Sequence, residues 1–278
     1  MIAGQARDGY MATTWLHSRT PWTARVHRAE ELAERNPWSK QVLGFYSRVL
    51  AFQKTIYERA TVAPASDSAE FLPSLDLDRA ARELPELAEI VSAYGPVTLA
   101  KNAARWHGSS SQQNRDLLEQ WLFAAATPDG TGAFFARVLL QPQAERLVEL
   151  GNFLPQRMAE NRCPYCASRP QLAVLRPEGD GAKRMLLCSL CSSEWAFRRI
   201  LCPECGEENH EKLPRYSAAG IPAVRVEACE TCRHYQKSVD LTLDGLAVPV
   251  VDEIAAAPLD LWAAEHDYRK IQANIVGF

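Results

Sequence analysis

LLCSLCSSEWAFRRILCPECG, residues 186–206, contains two Cys-x-x-Cys pairs, Cys188/Cys191 and Cys202/Cys205, with ten residues between them. Two further pairs flank this stretch: Cys163/Cys166 lies 21 residues upstream and Cys229/Cys232 lies 23 residues downstream. Every one of the eight cysteines belongs to such a pair, and the first 162 residues contain none. Scattered core cysteines would not sort themselves this way, so the chain divides into a cysteine-free half and a cysteine-paired half.

The paired half is written twice. Cys163 and Cys166 recur at an offset of 39 as Cys202 and Cys205, and Cys188 and Cys191 recur at 41 as Cys229 and Cys232. Proline follows the first cysteine of each unit, Pro164 and Pro203, and an aromatic follows the last, Trp195 and Tyr235. Two thiolates two residues apart fit on one tight turn, whose backbone N–H groups bond the sulfurs and offset their charge. Two such knuckles face to face supply four sulfurs in a tetrahedron, a donor set that suits zinc or a single iron.

A spacer of about 15–25 residues is long enough for an antiparallel ribbon that returns the second knuckle to the first. Residues 171–175 and 184–187 are strand material around a turn at 178–181, and 212–216 with 223–227 flank Ala219-Gly220. Units of about 40 residues bury too little apolar surface to fold unaided, so a metal would stabilise each. The expected sites are Cys163, Cys166, Cys188 and Cys191 in one, and Cys202, Cys205, Cys229 and Cys232 in the other. A cross-braced use of alternate pairs is the arrangement that the tandem repeat disfavours.

The cysteine-free half reads as five to seven helices. Apolar residues recur every three or four positions from Trp22 to Asn36, from Pro37 to Arg59, and over 78–94, 98–106, 111–126 and 132–150. A loop is expected over 63–74 and turns at Gly95-Pro96 and 127–130. Trp106-His107 and Gln141-Pro142-Gln143 read as packing and as a kink or helix junction. At the other end, Leu259, Leu261, Trp262, Tyr268 and Ile271 suggest a helix face docking back on the body.

Composition bounds the rest. At 47% apolar and 23% charged residues, the 278-residue chain can bury a core. The opening MIAGQARDGYMATTW lacks the apolar run of a secretory signal, and no apolar stretch would span a bilayer, so a cytoplasmic location without membrane insertion is expected. A reducing compartment disfavours structural disulfides. Alone, Cys163-Pro164-Tyr165-Cys166 spells a glutaredoxin-like redox pair, but such a pair opens a helix in a βαβ unit rather than a ribbon. Nucleic acid is disfavoured as a partner, since residues 162–240 hold 12 Lys+Arg against 10 Asp+Glu, a net of +2. A saturated four-sulfur site leaves no position for substrate, and no nucleophile–base motif or phosphate loop is present, so neither catalysis nor a small-molecule substrate is expected.

The segments CPYCASRP, LLCSLCSSEWAFRRILCPECG and EACETCRHYQK closely resemble the formate dehydrogenase accessory protein family, FdhE. RAEELAERNPW at 28–38, FARVLLQP at 135–142 and the tail at 259–278 extend the likeness over nearly the whole chain. The resemblance implies a helical domain (1–158), two tandem rubredoxin-like or zinc-ribbon-like modules (159–200 and 201–245), and a tail (246–278) docked on the body. It also implies a cytoplasmic, non-catalytic maturation factor that binds the formate dehydrogenase catalytic subunit and holds two metal ions, iron or zinc, one per set of four cysteines. The alternatives are a zinc-ribbon protein for nucleic acid and a redox module using iron or exposed thiols. Ala167 and Arg233 stand where the family often has glycine after a knuckle, and Asp267 and Ala273 stand where Gly and Pro are expected.

Overall fold

The computed structural model describes residues 20–60, 70–123 and 130–277, apart from 152, 154 and 157. The opening fifteen residues, most of the expected loop at 63–74 and most of the turn at 127–130 lie outside them.

Among the described residues six α-helices precede the first strand: α1 (Trp22–Arg35), α2 (Lys40–Arg59), α3 (Leu77–Tyr94), α4 (Val97–Ala103), α5 (Ser111–Phe123) and α6 (Gly130–Glu149). Asp76 caps α3, its side chain accepting from the Arg79 N–H at 2.9 Å. The stretch expected to be helical to Trp106 ends α4 at Ala103 and continues as a single 3-10 turn. Trp106 packs against Phe135, and His107 meets the Ser92 hydroxyl at 2.9 Å. No helix among the described residues is long and apolar enough to cross a membrane.

Helix α6 packs against α2, α3, α4 and α5 and reaches β1 through Arg137, and nearly every side chain from Phe134 to Val148 is buried. Amphipathic striping vanishes in a helix covered on all sides. It continues without a break through Gln141-Pro142-Gln143, so the proline neither ends nor divides it and no helix junction falls there.

Among the described residues seven strands form: β1 (Pro170–Glu178), β2 (Gly181–Cys188), β3 (Glu194–Ala196), β4 (Arg215–Ala218), β5 (Ile221–Ala228), β6 (His234–Asp240) and β7 (Arg269–Lys270). Each ribbon is antiparallel, as its short turn requires. The expected strand at 212–216 starts late, because His210–Lys212 forms a 3-10 turn. The two ribbons share one sheet of order β3-β2-β1-β6-β5-β4, joined where Ala173–Leu175 runs parallel to Ser238–Asp240. Being covered on both faces, Pro170–Leu175 is buried without interruption, whereas β5 alternates and keeps one wet face.

The chain returns through α7 (Pro249–Ala255) and α8 (Ala257–Glu265). Arg28 on α1 grips the Asp252 carboxylate with Nε at 3.1 Å and Nη2 at 2.6 Å, and the Trp38 indole donates to the Ala255 carbonyl. Leu259 is buried but Leu261 is 58% exposed, while Tyr268 and Ile271 are buried beyond the helix, flanking β7. The apolar residues of this tail therefore do not share one helix face.

Candidate metal centres

All four knuckles close in the same way. The N–H of each first cysteine donates to the carbonyl five residues on: Cys163 to Ser168 (3.0 Å), Cys188 to Ser193 (2.9 Å), Cys202 to Glu207 (2.9 Å) and Cys229 to His234 (2.9 Å). The residue after each second cysteine takes the left-handed conformation: Ala167 at φ 59°, Ser192 at 52°, Gly206 at 78° and Arg233 at 57°. Glycine is the residue that enters this region freely, yet the knuckle imposes it on three residues bearing a Cβ. Ala167 and Arg233 thus change the strain of the turn and not its shape.

This closure gathers Cys163, Cys166, Cys188 and Cys191 into one set and Cys202, Cys205, Cys229 and Cys232 into another, with each set's sulfurs within 4.8 Å of one another. Observed separations are 3.5 Å for Cys163–Cys191, 3.3 Å for Cys166–Cys188, 3.8 Å for Cys202–Cys232 and 3.7 Å for Cys205–Cys229. A disulfide would bring sulfurs to ~2.05 Å. Thiolates at ~2.3 Å from a central ion stand ~3.8 Å apart in a tetrahedron, so both donor sets fit a metal with little rearrangement.

Electrostatics favour a cation in the first set. Burial, reinforced by the neighbouring sulfurs, pushes the Cys188 and Cys191 thiols well above their ordinary value, while hydrogen bonds from the other three hold Cys166 well below it. Four buried thiols cannot all ionise without positive charge among them, and a divalent ion supplies it. In the second set burial pushes Cys202 up to about 11, whereas the N–H groups of Cys232 and Thr231 outweigh burial and lower Cys229. The N–H groups of Leu190 and Cys191 point at the Cys188 sulfur from 3.3 and 3.4 Å.

The sets differ in their surroundings. All four cysteines of the first are buried; in the second, Cys205 is exposed and Cys232 half-buried. Helix α6 touches the first set's second knuckle twice. Arg137 donates from Nη2 to the Ser189 carbonyl at 3.1 Å and to Gln171 at 2.9 Å, and from Nη1 to the Ala273 carbonyl at 2.7 Å. Glu145 accepts the Ser192 hydroxyl at 2.6 Å while it pairs with Arg25 of α1, both contacts at 2.9 Å. Sequence reading missed Arg137, Glu145 and Ser192. The available signal was a charged residue within Phe134–Leu140, a run otherwise apolar.

The repeated aromatics anchor the two units outward. The Trp195 indole donates to the Glu160 carbonyl at 2.8 Å, and the Tyr235 hydroxyl to Asp260 of α8 at 2.8 Å.

Fold and site together define a class: a helical protein carrying one sheet with two four-cysteine sets able to hold metal. The FdhE central-domain model matches residues 162–199 and the FdhE C-terminal-domain model residues 198–276. The Protein FdhE homolog of Aquifex aeolicus is 28% identical, covering 91% of this chain and 94% of its own length. That of Pseudomonas aeruginosa is 26% identical over 93% and 90%. The crystal structure of the FdhE protein from Pseudomonas aeruginosa superposes with a TM-score of 0.70 at 24% identity, covering 95% of this chain and 98% of that one, and so shares its fold. Residues 162–276 thus match the two FdhE family models, and the chain is similar to FdhE homologues along nearly its whole length.

Proposed function

We propose that this protein is a cytoplasmic, non-catalytic accessory factor for formate dehydrogenase, binding its catalytic subunit through a surface organised by two metal ions. The observation that carries the reading is the pair of four-sulfur sets, closed by four like knuckles, in a segment that matches the FdhE family models. Cys163, Cys166, Cys188 and Cys191 hold one ion, and Cys202, Cys205, Cys229 and Cys232 the other. Either zinc or iron suits four thiolates. Each ion joins the knuckle that precedes a ribbon to the one that follows it, at the ribbon's open end, and so fixes the ribbon's surface for a partner. We retain the division into a helical domain (1–158), two modules (159–200 and 201–245) and a tail (246–278).

Affinity capture from a host making formate dehydrogenase tests the reading. Recovery of the catalytic subunit supports it; recovery of RNA or DNA without any dehydrogenase subunit would sink it. Metal analysis after anaerobic purification separates zinc from iron, and a colourless protein with two zincs per chain would exclude electron transfer through iron.

A further inference from the structure

We propose that the two centres divide the work: the first is a permanently loaded clamp whose charge is countered by Arg137, and the second exchanges its ion at the surface. This rests on the metal-binding reading above and goes beyond it.

Charge is the starting point. Four thiolates around a divalent ion carry a net charge of −2, and such a group is expensive to bury without a counter-charge. Arg137 presents the mirror problem. It is 6% exposed, and its partners are the carbonyls of Ser189 and Ala273 and the amide of Gln171, all neutral. Among the described residues no carboxylate lies within ion-pair distance of it. Its guanidinium instead rests on the backbone of the Cys188–Cys191 knuckle, where a loaded centre's negative charge offsets the positive one and leaves a net −1. Three other basic side chains near the centres already have acids: Arg169 has Glu204, Lys212 has Glu207, and Arg233 has Glu230.

Access points the same way. An ion leaves a four-thiolate site when an incoming ligand reaches it and each released sulfur takes a proton. At the first centre all four sulfurs are buried, and two knuckle residues, Ser189 and Ser192, are held by Arg137 and Glu145 of α6. Losing that ion would leave Arg137 without its counter-charge and loosen the joint between helices and sheet. At the second centre Cys205 is exposed, water can stabilise the charge, and the knuckles bind no helix of the first six by any side-chain hydrogen bond among the described residues.

The experiment uses full-length protein loaded with zinc, mixed with an excess of a zinc-sensitive dye chelator. Two phases are expected, one ion each, with the slow ion leaving ~100-fold or more behind the fast one. Cys205→Ser should remove the fast phase alone. Arg137→Met should accelerate the slow phase ~10-fold or more and leave the fast one unchanged, with Arg137→Lys between them because it keeps the charge. Should Arg137→Met fail to fold, the wild-type chain still decides by alkylation during chelation, read by mass spectrometry. Cys202, Cys205, Cys229 and Cys232 must then be labelled before the other four. Two ions leaving in one phase, or a fast phase abolished by Cys166→Ser, would overturn the division while leaving the metal reading intact. A protein that binds no ion overturns both.

Discussion

Gln53 on α2 donates its side-chain amide at 3.1 Å to the carbonyl of Val138 on α6. That carbonyl lies four residues before Pro142, the residue with no N–H to give it. The same solution recurs on α3, where the Asn114 amide donates at 3.0 Å to Ala81, four residues before Pro85. Each proline thus stays inside a helix because a neighbouring helix satisfies the orphaned acceptor. Gln53→Leu should cost about 1–3 kcal/mol by leaving the Val138 carbonyl unpaired. In a Pro142→Ala background, which restores the backbone donor, that cost should shrink markedly. Urea unfolding of the four proteins of the cycle measures this, and strictly additive effects would refute it.

These pairs mark the boundary of what sequence reading reached. The helices were legible because their apolar residues repeat within a turn or two, and the knuckles because both thiols sit three positions apart. Pro142 suggested a kink or junction, since the residue that keeps α6 continuous lies 89 positions earlier in another helix. The ribbons were each legible, but their merger through β1 and β6 was not, because parallel pairing needs a long crossover that leaves no local pattern. Arg137 was invisible as a partner of the first centre for the same reason.

The left-handed residue after each knuckle separates two substitutions that look alike on paper. Ala167 is exposed and uses no side-chain contact, so Ala167→Gly should relieve a backbone cost of about 1 kcal/mol and raise the thermal midpoint. Arg233 stacks over Tyr268 at 4.0 Å and pairs with Glu230. Arg233→Gly should therefore show no net gain, because the lost contacts offset the relief. Calorimetry of both variants with metal bound decides; equal gains would show that the Arg233 side chain contributes nothing.

Glu145 joins α1, α6 and the second knuckle through Arg25 and Ser192. Glu145→Gln should destabilise by about 3–5 kcal/mol, since it leaves the Arg25 guanidinium buried without a counter-charge. Adding Arg25→Met should recover part of that loss, because no unpaired charge then remains. Chemical unfolding measures both, and a double variant worse than Glu145→Gln alone would contradict the pairing.

The tail has its own buried charge cluster. Lys237 and Lys270 both contact Glu253 and Asp260, and the Asn274 amide donates to Glu253 at 2.8 Å. Burial alone would raise the Glu253 carboxyl, but the two lysines and Asn274 outweigh it and hold it at about 2, below the 4.5 of an unperturbed glutamate. A depressed carboxylate contributes stability that is fully present above its unfolded pKa and disappears as pH falls through its folded one. The cluster should therefore weaken progressively between pH 4.5 and about 2. Thiolate protonation and metal loss also act in acid, so the measurement is a difference: wild type against Glu253→Gln, each unfolded in denaturant along a pH series. At pH 7 Glu253→Gln should be the less stable by about 3–5 kcal/mol, because two lysines then share Asp260 alone. That gap should narrow steadily as pH falls below 4.5. A gap constant across the series would mean that the Glu253 charge does not bind the tail to β6.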